Sequence, residues 1–308
     1  MQKIFRVNGP GAHSFSWVVD EGTGPYKLFG DGPDHPGAVS MRTRARASSL
    51  RESIKSFAGD QVKTRLTHRA PGAYHPRIWR PHCWPTTQEH FRTEWSSSVL
   101  GAQNLFEDMK QVFRYVEPTK ANWSAFGHEI RQLLILACTE VETQCKAVLR
   151  ANHYVQQPPK PKPHAPPIAK PRPPRDLAMG DYFRLAGPMR LAAWQGTPRR
   201  YPELGWIRPF RKWGGSVFSP LPWYSAYNAT KHDREIAFSE GTLGNVIEAL
   251  VAVYVLVVAQ YGQFGYRTFR GSEETEFGCR APAYPMQDHY VPPHVAPGSA
   301  WRAEDCPL

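Results

Sequence analysis

The chain has 308 residues, of which 41% are apolar and 30 are proline, and its formal net charge is +11. This length excludes a small disulfide-stapled domain, and a proline share about twice the average predicts that only part of the chain forms a packed core. The positive charge favours polyanionic partners, above all nucleic acid, although a solvated basic segment at Gln156–Arg175 explains five of the eleven excess charges equally well.

Targeting and cofactor signals are missing from the sequence. Five cysteines without a CxxC pair predict reduced thiols and a cytoplasmic protein. Met1–Arg6 lacks the apolar region of a signal peptide. The longest apolar run, Ala249–Ala259, is shorter than the ~18–20 residues that cross a membrane, so we expect a buried core helix and no membrane partner.

No nucleotide-hydrolase, Rossmann, serine-hydrolase or zincin motif occurs in the sequence. The residues His75, His82, Cys83 and His90 have side chains that can bind zinc, but they match no known zinc spacing. We therefore expect no metal and no other cofactor.

For residues 1–93 the sequence predicts a poorly ordered arm, because little of it has a regular apolar period. Two short strands, Ser16–Val19 and Tyr26–Phe29, are bounded by glycine-rich turns. The Arg/Ser stretch after them and the run Arg69–Thr87, rich in Arg, Pro, His and Trp, have neither a helix nor a strand period. Residues 267–308 contain many prolines and predict a loop-like tail.

Residues 94–155 predict a pair of helices. Apolar residues at three- and four-residue steps begin after the capping serines at 96–98 and continue to Glu117-Pro118, where proline disfavours further helix. A second, longer helix is predicted from about Ser124 to Asn152. Residues 156–176 follow as a proline- and lysine-rich linker, which polyproline II conformation would make semi-rigid.

Residues 177–266 predict the second half of the helical core. Asp181–Trp194 is mostly helical in composition, and an aromatic loop follows it. Two more helices are predicted, from Trp223 to about Phe238 and from Leu243 to Tyr261, where Gly262 ends the pattern. The fold predicted from these segments is mostly α, a four-helix-bundle-like core with a long proline-rich insertion and loosely ordered arms at both ends.

The stretch Leu221–Arg234 carries the densest set of polar and aromatic side chains. In a helix, Asn228 and His232 share a face, and so do Tyr227 and Lys231. The sequence Tyr227-Asn228-x-x-x-His232 resembles the Arg-Asn-x-x-x-His motif of the HEPN superfamily, with Tyr227 in place of the arginine. The resemblance implies a small helical bundle that is often dimeric, and RNA as its partner.

The same resemblance implies a function in RNA binding, including metal-independent RNA cleavage of the kind used by toxin and antiviral defence systems. Catalytic roles then fall to His232 as general acid or base, with Asn228 and Tyr227 beside it. Phosphate charge would be offset by Lys231 and Arg234. Supporting carboxylates from the second helix would be Glu140 and Glu142, one of which would fix the tautomer of the imidazole.

Two other interpretations remain open. The Asn/His/Lys/Arg/Glu set can be a satisfied polar network that ties helices together in a non-catalytic interaction or scaffold protein. The chain can also be an oligomeric binder of a small ligand, with the loop Trp206–Trp223 as a lid.

Overall fold

The computed structural model describes residues 2–9, 16–30, 41–81, 89–156, 176–270, 275–296 and 298–308. The predicted linker at 156–176 therefore lies almost wholly outside the described residues. The chain divides into two compact units. The first, here called the sheet unit, comprises Met1–Thr93 and Ala283–Glu304; the second, the helical unit, comprises Glu94–Pro282 and Asp305–Leu308.

The sheet unit is built on a five-stranded antiparallel sheet with the strand order β4-β3-β2-β1-β5. Its elements in chain order are β1 (Lys3–Asn8), β2 (Trp17–Asp20), β3 (Tyr26–Phe29), β4 (Met41–Arg44), helix α1 (Leu50–Ala58) and β5 (Lys63–Thr67). A short parallel pair, β6 (Ala73–Tyr74) with β9 (Arg302–Ala303), completes it.

Apolar side chains on both faces of this sheet are buried. On one face, Val7, Val18 and Leu28 pack with Ile54 and Ala58 of α1. The opposite face is covered by a late part of the chain; its buried cluster contains Ile4, Trp17, Val19, Phe29, Val291 and Val295. Side chains of successive strand residues point to opposite faces, so a single short strand supplies both clusters.

The mostly α prediction is wrong. Helix accounts for 46% of the residues, and residues 1–93, predicted as a loose arm, contain the five-stranded sheet. The two strands predicted near Trp17 and Tyr26 are present as β2 and β3. The edge strands β4 and β5 were missed because they are largely exposed and rich in Arg and Lys, which is how edges avoid further pairing. The predicted C-terminal tail is likewise not all loop, because it supplies β9 and part of the sheet's cover.

The helical unit contains the other α-helices of the described residues. They are α2 (Glu89–Phe113, which begins before the boundary), α3 (His128–Ala151), α4 (Met179–Tyr182), α5 (Pro222–His232), α6 (Arg234–Ala237) and α7 (Leu243–Arg270). Strands β7 (Gln195–Pro198) and β8 (Phe277–Arg280) pair antiparallel beside them.

Helix α7 is the core of the helical unit. It packs against α3, α5, β7 and β8, and from Val246 to Tyr261 every residue except Glu248 is buried. A helix that is apolar all round is expected at such a position. Leu243–Gln263 is long and apolar enough to cross a membrane, but most of it is buried within the unit, which is consistent with the core helix of a soluble protein. The backbone leaves helical geometry at Gly262, where φ is 76°.

Two other predicted helices are shorter than expected. The helix predicted over Trp223–Phe238 ends at His232, because Asp233 adopts φ −138° and ψ 77° and its carboxylate accepts a hydrogen bond from the Ile236 amide at 3.3 Å. Aspartate favours such caps over helix interiors, so α6 starts as a separate turn. Asp181–Trp194 forms only the end of α4 and two 3-10 turns.

Candidate functional site

Helix α5 carries the residues that the sequence singled out. Its inner face buries Trp223, Ala226, Tyr227 and Thr230, which recur at helical spacing. The Trp223 indole N–H donates to the Pro209 carbonyl at 3.0 Å. The helix is therefore fixed by its aromatic side, and its polar residues lie toward the rim or in solvent.

A carboxylate network joins α5 to α3. The Tyr224 hydroxyl donates to Glu142 Oε1 at 2.8 Å, and Lys146 Nζ lies 3.4 Å from Glu142 Oε2. Burial, followed by the hydrogen bond to Glu142, raises the pKa of Tyr224 well above its ordinary value. Glu142 thus reaches α5 as predicted, but at Tyr224 and not at His232.

Lys231 is held on its own helix. Its ammonium donates to the Tyr227 hydroxyl at 2.8 Å and lies 5.1 Å from the Tyr227 ring centroid. This hydrogen bond is the main reason that the pKa of Lys231 is raised. Tyr227 itself is 1% exposed, so the position equivalent to the family's arginine is occupied by a buried ring.

The remaining predicted site residues are not brought together. His232 and Arg234 are exposed and Asn228 is half-buried, and within the described ranges none of the three has a side-chain hydrogen bond or ion pair. Glu140 lies on the side of α3 away from Glu142, next to Gly101 of α2 and bonded by Gln144. Residues two positions apart on a helix point to nearly opposite sides, so only one of the two glutamates could support a given imidazole.

A second site, which the sequence did not predict, lies elsewhere in the helical unit. It is a cavity of about 540 Å³. We call it the Trp206 cavity; its walls are Lys120, Trp123, Leu204, Trp206, Ile207, Arg208, Arg211 and Glu248. The segment before α3, the loop between β7 and α5, and helix α7 each supply part of it.

Two indoles form its aromatic walls. Trp123 lies directly over Gly244 of α7, where a Cβ would overlap the indole, and the Trp123 carbonyl accepts the Gly244 amide at 2.9 Å. Trp206 is 40% exposed, and the Arg280 guanidinium lies 4.0 Å from its ring centroid. Arg280 does not line the cavity, so it supports this indole from outside.

Three cations and one carboxyl complete the walls. Arg208 is anchored by two hydrogen bonds from Nε and Nη2 to the Ala192 carbonyl, at 3.2 and 2.8 Å. Lys120 and Arg211 are exposed, and their side chains form no hydrogen bond or ion pair with the described part of the chain. The walls therefore carry a net positive charge, which suits an anionic ligand.

Glu248 is the one acidic or basic residue between Val246 and Tyr261, the buried stretch of α7. Burial raises the pKa of its carboxyl, and the charge of Arg211 offsets this in part. Among the described residues, no group donates a hydrogen bond to it. A half-buried carboxyl that faces a cavity without a donor is a candidate for ligand recognition.

Replacing Glu248 with glutamine is expected to stabilise the helical unit most near neutral pH. The pKa is higher in the folded state, so the ionised carboxylate destabilises the fold, and this cost is absent below the unfolded pKa. Urea denaturation near pH 7 and near about pH 4 should show a gain that shrinks at acid pH. Glu235→Gln on the exposed α6 serves as the control; a gain for Glu248→Gln that is equal at both pH values would contradict the prediction.

One residue of this cavity is recognisable from the sequence alone. Glu248 is a single carboxyl next to a long apolar run, and such a residue stands out on a core helix. The small-ligand interpretation places Trp206 in a lid loop, whereas in the structure its segment is fixed to β7 by the Ile207 amide donating to the Gly196 carbonyl at 2.8 Å and the Gly196 amide donating to the Ile207 carbonyl at 2.9 Å. Nothing in the spacing of Lys120 and Trp123 indicates that they meet Glu248.

Comparison with protein-family models, with curated proteins and with solved structures finds no match for this chain. The function is therefore inferred from the geometry and charge of its own residues.

Proposed function

We propose that the helical unit binds RNA and takes one nucleotide of a single strand into the Trp206 cavity. The observation that carries the proposal is the pairing of two indoles with three cations around one concave site. Proteins that bind single strands combine aromatic side chains, on which bases stack, with a basic groove that follows the phosphates.

The dimensions and charges of the cavity fit a nucleotide. Its volume of about 540 Å³ lies within the range of roughly 300–1,000 Å³ that is usual for ligand sites. A base placed between Trp123 and Trp206 would stack on an apolar surface, and its phosphate would remain near Lys120 and Arg211. Both cations are exposed, so a strand can approach them from solvent.

The proposed activity of the helical unit is binding of RNA without cleavage. Cleavage at His232 stays a prediction from the motif, since the described residues give its imidazole no orienting carboxylate and Tyr227 is buried. We place the binding function in the cytoplasm, consistent with a soluble protein.

The test is a titration of the full chain with fluorescent single-stranded RNA at several salt concentrations. Lys120→Ala and Arg211→Ala are each expected to weaken binding and to reduce the slope of log K against log salt by about 0.7, the value for one lost phosphate contact on a single strand. Lys212→Ala is the matched control, because Lys212 is exposed next to Arg211 but does not line the cavity. Equal slopes for all variants, or no binding by the wild type, would overturn the proposal.

Protein interaction is a second candidate function, favoured by a different observation. A groove of about 700 Å³ between α2 and α3 exposes Tyr115, Phe126 and Leu136, and Tyr115 is 85% exposed. Its rim carries Asp108 and Glu129, which suits a partner segment that combines apolar and basic residues. Exposed apolar surface of this kind commonly marks a protein interface. This candidate would remain if the wild type bound no RNA.

A further inference from the structure

Glu248 has no role in a cavity that only stacks bases and holds phosphates. A carboxylate opposes phosphate binding, and burial raises the pKa of this one, so its presence costs stability. Its neighbours in the cavity are two indoles and three cations, and no described group donates to it. A ligand that supplies N–H donors would remove this cost, because a desolvated acceptor gains most from a hydrogen bond.

The four RNA bases differ in the donors that they offer to a carboxylate. Guanine has two adjacent donors on its Watson–Crick edge, N1–H and the N2 amino group, beside the acceptor O6. Adenine and cytosine offer one amino group next to a ring acceptor, and uracil offers one N–H between two carbonyls. Only guanine can bond to both oxygens of one carboxylate and also accept from a cation next to it.

The walls of the Trp206 cavity match that pattern. Glu248 supplies the two acceptors, and Arg211 is close enough to shift the pKa of Glu248 by its charge. Arg211 has five N–H donors, so it can donate to O6 and contact the phosphate as well, and Lys120 of the same cavity contacts the phosphate. Trp123 and Trp206 line the same cavity and supply stacking surfaces for the base.

We propose that the Trp206 cavity selects guanine, with the Glu248 carboxylate accepting hydrogen bonds from N1–H and N2–H and a wall cation donating to O6. This inference rests on the proposed RNA binding and adds the identity of the base. Selectivity arises because other bases leave one oxygen of this half-buried carboxylate unpaired, which costs binding free energy.

The experiment compares short oligouridines that carry one central guanosine, inosine or adenosine. Inosine lacks only the N2 amino group. The wild type is expected to bind guanosine RNA about tenfold or more tightly than inosine RNA, the cost of breaking one bidentate contact. Glu248→Gln, which keeps the size of the side chain, is expected to bind guanosine and inosine RNA alike. Urea unfolding curves check that both proteins are fully folded under the conditions of the titration, with Glu248→Gln at least as stable as the wild type.

The outcomes separate this inference from the RNA-binding proposal. Equal affinity of the wild type for all three RNAs would overturn guanine selection and leave RNA binding intact. A guanosine preference that persists in Glu248→Gln would overturn the role of Glu248. Binding to none of the RNAs would overturn both proposals. Competition by guanosine monophosphate, but not by adenosine monophosphate, would support guanine selection with a free nucleotide as the ligand.

Discussion

Trp206→Ala is expected to weaken binding of every single-stranded RNA by about ten- to hundredfold, because a stacked base contributes roughly 1–3 kcal/mol. The loss should be similar for all base compositions, since an indole stacks on any base. The ratio of guanosine to inosine affinity should therefore change little, in contrast to the effect of Glu248→Gln. The measurement is the same fluorescence titration with matched oligonucleotides.

Tyr115→Ala is the control for Trp206→Ala. Tyr115 is an exposed aromatic residue of the same unit that lies on the other groove and not on the Trp206 cavity. Since Trp206 is 40% exposed, its removal should leave most of the unfolding free energy in place, and urea denaturation checks this. Equal affinities for wild type, Trp206→Ala and Tyr115→Ala would show that the cavity does not bind the base.

Tyr227→Arg is expected to destabilise the protein by roughly 3–5 kcal/mol, although it restores the arginine of the HEPN motif. The ring is 1% exposed, so the substitution removes a buried aromatic and places a guanidinium there. It also replaces the hydroxyl that accepts from Lys231 with a second cation. The measurement is the urea midpoint together with the slope of the transition.

Tyr227→Phe provides the matched control, because it keeps the ring and removes only the hydroxyl. A loss of about 0.5–1.5 kcal/mol is expected for one hydrogen bond. If Tyr227→Arg were as stable as the wild type, the position would accept an arginine. An RNase assay on that variant would then be a direct test of the motif-based cleavage prediction.

The sequence predicted those elements whose pattern is local and long. Helix α3 lies within the predicted range Ser124–Asn152, and α7 is the predicted buried helix, because their apolar periods extend over many turns. The sheet was missed because its strands are short and its order depends on pairing of distant segments, such as β1 with β5. A proline-rich, basic composition also pointed toward disorder in residues that in fact fold.

In the candidate sites too, the sequence predicts what depends on local spacing and does not predict what depends on contacts between distant segments. Local spacing on α5 was visible, but which of Glu140 and Glu142 faced it depended on packing that spacing alone did not settle. The Trp206 cavity combines residues near 120, 206 and 248, and its recognition needed their approach in space. Of the residues that line this cavity, only Glu248 is recognisable from the sequence, because it is a single acidic residue next to a long apolar run.

The way in which the sheet unit is covered has a consequence for synthesis of the protein. One face of its sheet, including Trp17 and Phe29, is closed by Val291 and Val295, which the ribosome makes only after the segment Glu94–Pro282 of the helical unit. That apolar face therefore stays open to solvent and to chaperones throughout translation of the intervening segment. When Val291 and Val295 are made, the helical unit lacks only Asp305–Leu308. The helical unit can therefore fold before the sheet unit, although the sheet unit contains the N-terminus.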